Sequence, residues 1–332
     1  MTKKIQTLLI RLFALAFICF GLLIFYIFQQ IHAPKIHDTY SFYILESGTS
    51  IRSVAKDLEK KGFISSALLF ELNARFIDND APFQAGEYVL RKHTSIQNIT
   101  EIFQSGKTYQ HKLIIPEGLT KKQITHILQD DEALRGEIAL LELPTEGYLL
   151  PQTYFFELKT QRQAMIDRMQ KAHHHLMKTL WEQRAEDLPI KTKEEAVILA
   201  SIVERETGVT AERERVAGVF INRLRKGMKL QSDPTIIYPL SNELGVLDRP
   251  LYRSDWGYNN AYNTYMNYGL PPTAIANPGE ASLRAVLNPE KHTYLYFVAD
   301  GSGGHVFSKT LKEHNDNVAK WRAYKKKHNI EQ

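Results

Sequence analysis

Thr192-Lys-Glu-Glu-Ala-Val-Ile-Leu-Ala-Ser-Ile-Val-Glu-Arg-Glu-Thr-Gly208 predicts a buried helix that ends in an acid. Thr192 and Glu195 form a capping box, in which each side chain bonds a free backbone N–H of the first turn, and Gly208 supplies a stop. Between residues 196 and 203 only Ser201 is polar. No face of this helix is left for water, so we expect it to cross a core.

Glu204 follows this apolar run directly. On a helix it shares a face with Val197, Ala200 and Ser201, so its carboxyl should lie over small and apolar groups. Such surroundings disfavour the charged form of a carboxyl, which suits a general acid. The alternative is that residues 204 to 206 are the solvated last turn of a core helix.

Composition predicts a globular protein of about two domains. The chain has 332 residues and a formal charge of +5 that is spread along it, which makes no strong case for nucleic acid. Its one cysteine, Cys19, excludes a disulfide framework and a cysteine-based metal site within one chain. Three adjacent histidines at 173 to 175 point in three directions on a helix and cannot share a metal, so no metal site is predicted.

Residues 12–31 predict a single membrane-spanning helix, because the run from Leu12 to Phe28 contains no charge. Lys3, Lys4 and Arg11 precede it, so residues 1–11 should be a cytoplasmic tail and the rest should lie outside the membrane. A cleaved signal peptide is the alternative. The run is long for a signal and lacks a small-x-small cleavage site, which favours a retained anchor.

Residues 32–39 predict a linker, and residues 40–112 a small α+β module with strands at Tyr40–Glu46 and Gly86–Leu90. A larger mixed α/β domain then spans residues 113–332. It should contain helices at about 162–186, 213–224 and 310–327, a strand after the turn at Leu230, and a strand and hairpin-like turn that carry His305. Tyrosines, a tryptophan and asparagines fill residues 252–268; they suit a sugar groove, or they pin a long loop to the core.

Several motifs in one order closely resemble the endolytic murein transglycosylases of the MltG/YceG-like family. The likeness spans residues 113 to 320, and the anchor with a LysM-like small domain fits the same architecture. The motifs are Glu146-Gly-Tyr148 with Pro151-Gln-Thr-Tyr154, Leu199-Ala-Ser-Ile-Val-Glu-Arg-Glu206, Val219-Phe-Ile-Asn-Arg-Leu224, Leu230-Gln-Ser-Asp-Pro-Thr235, Tyr262-Asn-Thr-Tyr265, Gly269-Leu-Pro-Pro272 and Tyr294-Leu-Tyr-Phe-Val-Ala299 with Gly304-His305.

The resemblance implies a lyase without a cofactor. It would cut the β-1,4 bond between N-acetylmuramic acid and N-acetylglucosamine in peptidoglycan and leave a 1,6-anhydro end. By matching motif, Glu204 takes the catalytic place. The implied partners are glycan strands, the inner membrane and peptidoglycan synthases, and the implied role is termination of new strands. The groups implied to bind or orient substrate are Glu146, Gln231, Asp233, Tyr238, Asn263, Tyr265 and His305.

Gln152 departs from the family pattern, which usually has Asp there. Two other functions remain open from the residues alone. In a glycoside hydrolase, Glu204 would act with Asp233, Glu206 or Glu146 as base or nucleophile. In a membrane-tethered scaffold, the small domain would hold glycan and the large domain would recruit proteins of wall synthesis, but such a protein has no reason to place an acid at the end of a core helix.

Overall fold

The chain folds as two units, which a computed structural model describes over residues 3–34, 40–77, 81–91 and 94–328. The first unit comprises Met1–His111 and Phe156–Leu158, and the second comprises Lys112–Phe155 and Lys159–Gln332. Helices and short paired strands occur in both units. The predicted mixture of helix and strand is therefore confirmed.

The first unit pairs two antiparallel strands and packs helices against them. Its elements are α1 (Lys3–His32), β1 (Ser41–Leu45), α2 (Ile51–Lys60), α3 (Ala67–Leu72), β2 (Gly86–Leu90) and α4 (Ile96–Ser105). The register sets Ser41 opposite Leu90. Tyr88 and Phe103 are fully buried, with ring centroids 5.0 Å apart, and they form part of this unit's core.

Helix α1 is the one helix in the described residues that is long and apolar enough to cross a membrane. Most of it is exposed, as expected of a lipid-facing surface, but Ile31 is 1% exposed and belongs to the core of the first unit. Ile27, one turn earlier, packs against the same core. Helix α1 therefore ends inside the folded unit. Residues 35–39 of the predicted linker lie outside the described residues.

From β3 onward the elements surround a second core. They are β3 (His111–Ile114), α5 (Lys121–Asp130), β4 (Leu134–Arg135), β5 (Thr153–Phe156), β6 (Thr160–Gln161), α6 (Arg162–Glu182), α7 (Lys193–Glu206), α8 (Arg213–Arg225), α9 (Pro234–Leu240), α10 (Glu280–Leu287), β7 (Tyr296–Ala299), β8 (His305–Ser308) and α11 (Leu311–His328). The strands pair as β3 with β5, β4 with β6, and β7 with β8.

Helix α7 is the predicted core helix, and it packs against α8 and α10. Its capping box is present: Thr192 Oγ1 accepts from the Glu195 amide at 3.2 Å, and Glu195 Oε2 accepts from the Thr192 amide at 3.3 Å. From 196 to 203 every residue except Ile198 is buried. The helix ends at Glu206, one residue before the extended Thr207.

The strand predicted after Leu230 is wrong, because Pro234–Leu240 forms helix α9. Pro234 occupies the first helical position, where its missing N–H costs nothing and its fixed φ suits a helix. The β-branched residues Thr235, Ile236 and Ile237 favour a strand when they are considered alone, and tertiary packing overrides that preference.

A buried carboxyl joins three segments of the second unit. Glu146 is 2% exposed, and its Oε1 accepts from the Lys121 amide and from Asn277 Nδ2, both at 2.8 Å. The Tyr238 hydroxyl donates to Oε2 at 3.3 Å. Asn277 Oδ1 accepts a hydrogen bond from the Leu149 amide at 2.9 Å, and Asn277 Nδ2 also donates to the Leu119 carbonyl at 3.0 Å. These bonds hold the loop before α5 against the loop before α10.

We expect Glu146→Leu to destabilise the protein by about 3 kcal/mol, because the Lys121 amide, the Tyr238 hydroxyl and one N–H of Asn277 lose their acceptor. Glu146→Gln should cost much less, since its amide oxygen can still accept from Lys121 and Asn277. Urea denaturation at pH 7 measures both, followed by the fluorescence of Trp181, Trp256 and Trp321, which all lie in the second unit. Equal losses in the two variants would contradict the role of these bonds.

A comparison of Glu146→Gln with wild type at several pH values tests the ionisation of Glu146. Burial raises the pKa of Glu146 to about 7 from its ordinary 4.5. Between those two pH values the folded protein binds more protons than the unfolded chain, so this carboxyl removes stability as pH rises. We expect the Gln variant to gain roughly 3 kcal/mol relative to wild type between pH 4.5 and pH 8. A difference that does not change with pH would contradict this assignment.

Candidate active site

The last turn of α7 places the Glu204 carboxyl at the edge of the second core. Its side chain is 5% exposed. Val197, Ala200 and Ser201, which share its face of the helix, are buried as predicted. Ser201 Oγ accepts from the Ile275 amide at 3.0 Å, which holds the chain that leads to α10 against this face. Glu204 is therefore enclosed and is not a solvated helix end.

Two donors contact the Glu204 carboxyl. The Gly279 amide, at the N-terminus of α10, donates to Oε2 at 2.9 Å, and Arg213 Nη2 donates to Oε1 at 3.4 Å. Besides the small and apolar groups expected beneath it, the carboxyl therefore has two polar partners. A helix N-terminus favours a negative charge at this place, as does the guanidinium.

A second carboxyl, Glu117, lies beside Glu204 and was missed by the sequence analysis. Its Oε2 is 3.9 Å from Arg213 Nη2, and its side chain is 44% exposed. Burial raises the pKa of Glu117, and the negative charge of Glu204 raises it further. The available signal was the turn Pro116-Glu117-Gly118, which begins a strand-turn-helix pattern and carries no mark of chemistry by itself.

Three predicted binding residues, Gln231, Asp233 and Tyr265, line one cavity of about 410 Å³. Glu206 and Arg223 line it as well. The Tyr265 hydroxyl donates to Asp233 Oδ1 at 2.7 Å. Gln231 has a φ of +53°, an unusual conformation for a residue with a side chain. Strained backbone of this kind clusters at functional sites.

Glu206 gives this cavity an acid of its own. The Ser232 hydroxyl donates to Glu206 Oε1. Burial raises the pKa of Glu206 to about 7, and the charge of Asp233 contributes in the same direction. Glu204 does not line the cavity. Residues two apart on a helix point to different sides, so α7 directs its two last acids to separate places.

The remaining predicted residues have other surroundings. Glu146 and Tyr238 belong to the buried network, where they position loops. Asn263 is also fully buried, and its Nδ2 donates to the carbonyls of Trp256 and Tyr258 at 3.1 and 2.8 Å. His305 bonds Glu212 through Nδ1 at 2.9 Å.

The aromatic loop combines the two uses that its composition allows. Asn263 pins it from inside, whereas Trp256 stacks on Tyr265 with centroids 5.9 Å apart and is 43% exposed. Tyr268 is 72% exposed. Gln152, at the departure from the family pattern, is exposed, and its backbone carbonyl accepts from Ile115 at 3.1 Å.

Comparisons with known proteins agree with this sequence pattern. An endolytic murein transglycosylase of Bacillus subtilis strain 168 is 33% identical over 301 residues, which cover 82% of each chain. One from Streptococcus pneumoniae D39 is 29% identical over 320 residues, 83% of this chain but 57% of that protein. The crystal structure of a putative YceG-like protein from Listeria monocytogenes has 31% identity and a TM-score of 0.53, and the match covers 84% of this chain and 99% of that one. The model of the YceG-like family matches residues 43–320, and the chain belongs to that family.

Proposed function

We propose that this protein is a membrane-anchored endolytic lytic transglycosylase of peptidoglycan. The observation that carries the proposal is the enclosed Glu204 carboxyl at the end of α7, in a chain whose similar proteins are named endolytic murein transglycosylases. The reaction is cleavage of the β-1,4 bond between N-acetylmuramic acid and N-acetylglucosamine without water. Its product carries a 1,6-anhydro end.

In this mechanism Glu204 serves two proton transfers. As an acid it protonates the glycosidic oxygen, so that the bond from C1 to that oxygen breaks and positive charge develops at C1. As a carboxylate it then takes the proton from the 6-hydroxyl of the same sugar, whose oxygen bonds to C1. The proton returns to Glu204 and no water is consumed. The attacking group is part of the substrate, so no second carboxylate is needed as a base to activate water.

The cavity of Gln231, Asp233 and Tyr265 is the proposed contact for glycan. Its volume is that of a small-molecule site, and it combines an amide, a carboxylate and a phenol with aromatic rings. Sugars use such surfaces because rings pack on their apolar faces and polar groups bond their hydroxyls. Glu146, Tyr238 and Asn263 would orient the groove from behind. The predicted contact of His305 with glycan stays a prediction.

We also propose that α1 is retained as an anchor. Cleavage after Ile31 would remove both Ile27 and Ile31, which contribute to the core of the first unit. The basic residues Lys3, Lys4 and Arg11 favour a cytoplasmic N-terminus, so both units would lie in the periplasm. Strands β1 and β2 enclose two helices between them, an order that supports a LysM-like assignment for residues 40–112 and a catalytic domain at residues 113–332. Anchoring confines the enzyme to the wall nearest the membrane, which suits termination of new strands beside the synthases.

A glycoside hydrolase is the second candidate, because acids other than Glu204 are present. Glu146 is a poor base for it, since its oxygens accept three hydrogen bonds inside the protein. Glu206 is the better choice, but it lines a cavity that Glu204 does not.

We expect Glu204→Gln to lower the rate of glycan cleavage by about 10² to 10⁴-fold, because the amide cannot donate the required proton. The measurement is mass spectrometry of fragments released from purified peptidoglycan by the full chain in detergent micelles. Glu194→Gln, on an exposed position of the same helix, is the matched control. Fragments one water lighter than hydrolysis products support the lyase.

Hydrated reducing ends would instead make the protein a hydrolase. Cleavage by the wild type that Glu204→Gln does not reduce would remove Glu204 from the mechanism. An absence of cleavage in both proteins would favour the wall-binding scaffold.

Gln231→Gly tests the proposed glycan cavity. Glycine suits the φ of +53° at this position, so folding stability should be kept. The substitution removes the side-chain amide, and we expect KM for glycan strands to rise by about tenfold, the effect of one lost hydrogen bond. Asn242→Gly is the matched control, because Asn242 has a φ of +51° and does not line the cavity. An unchanged KM in Gln231→Gly would contradict a contact with glycan.

A further inference from the structure

Arg213 lies beside two carboxylates and has a buried donor without a hydrogen-bond partner. It is 8% exposed, and its Nη2 is 3.4 Å from Glu204 Oε1 and 3.9 Å from Glu117 Oε2. Its Nε is buried and has no hydrogen-bond partner. An arginine that served only stability would be expected to satisfy that donor. Loose contacts of this kind are typical of catalytic groups before substrate binds.

The Glu117 carboxyl packs against Gly279, where the absence of a side chain leaves room for it. A Cβ on Gly279 would lie 1.8 Å from Glu117 Oε1. The same Gly279 donates its amide to Glu204 at 2.9 Å. The loop before α10 thus brings the two acids together, and the Asn277 bonds to Leu119 and Glu146 fix that loop.

The groups around Glu204 have opposing electrostatic effects. Arg213 from α8, Arg205 on its own helix and the Gly279 amide from α10 favour the carboxylate. Arg205 also donates to the carbonyls of Gly118 and Gly245, at 3.2 and 2.7 Å. The facing acid is Glu117, from the segment before α5, and it competes with Glu204 for Arg213.

We infer that Glu117 is a positioning residue that divides Arg213 between two carboxylates, so that Arg213 does not pair with Glu204 alone. This inference rests on the proposed function, in which Glu204 is the acid. Glu117 itself transfers no proton in the reaction. Without its charge, Arg213 pairs with Glu204 alone, and an undivided guanidinium favours the charged form of the carboxyl that it pairs with.

The test is the pH dependence of kcat/KM for glycan strands, measured on the full chain in detergent micelles. In Glu117→Gln we expect the midpoint of the alkaline decline to fall by roughly 0.5 to 1 pH unit, with near wild-type activity on the acid side. Glu280→Gln is the matched control, since Glu280 is an exposed acid beside Gly279 that pairs with Arg284.

Gly279→Ala provides a second variant that keeps the charge of Glu117. Its φ of −73° accepts alanine, and the added Cβ must displace the Glu117 carboxyl. We expect a shift in the same direction as in Glu117→Gln. This variant keeps the inference testable if Glu117→Gln fails to fold, which thermal melting would show.

An alkaline midpoint that stays at the wild-type value in both variants overturns the inference, and so does an equal loss of activity at every pH, which would indicate a contact with glycan. Glu204→Gln distinguishes this failure from failure of the proposed function. If Glu204→Gln is inactive and the profiles do not move, only the role of Glu117 is wrong. If Glu204→Gln cleaves glycan, the proposed function itself is wrong.

Discussion

The burial of α7 is the constraint on which the second unit depends. A helix that is apolar from 196 to 203 must be covered on nearly all sides, and α8 and α10 provide that cover. Burial then decides where the chain's acids lie. Glu204 comes directly after Val203, the last buried residue of α7, and Glu206 ends the helix two residues later. The neighbouring loops therefore decide how far each acid is exposed. The position of the candidate acid is thus a consequence of core packing.

The loops around Glu204 are irregular, and buried hydrogen bonds fix their conformation. Asn277 uses both side-chain atoms and both backbone groups to bond Leu149, Glu146, Leu119 and Gly118. Glu146 closes the arrangement by accepting the first amide of α5. A buried network that is fully bonded gives a single geometry, because each alternative would leave a polar group without a partner. That rigidity keeps the Gly279 amide in position to donate to Glu204.

The sequence predicted the structure correctly where the residues that decide it are neighbours in the chain. The capping box of Thr192 and Glu195 and the apolar run behind it define α7, and both are local features. It failed where distant segments meet. Glu117 is 87 residues before Glu204, and nothing in the turn around it indicates a neighbouring acid. Asn263 and Glu146 have residue types suited to bind sugars, but their burial is decided by the packing of the whole unit. The strand predicted after Leu230 failed because Pro234 starts a helix that its β-branched neighbours disfavour.

The separation of Glu204 from the cavity of Gln231 bears on the kind of substrate the site suits. Glu204 and Glu206 leave the same turn of α7 in different directions, so a ligand that fills the cavity does not by that contact reach Glu204. A small substrate would gain little from such an arrangement. A polymer can occupy the cavity with one sugar and present a bond to the acid with another, and binding at the first place then helps to orient the second. Endolytic cleavage needs this property, because a cut within a strand requires contacts away from the bond that breaks.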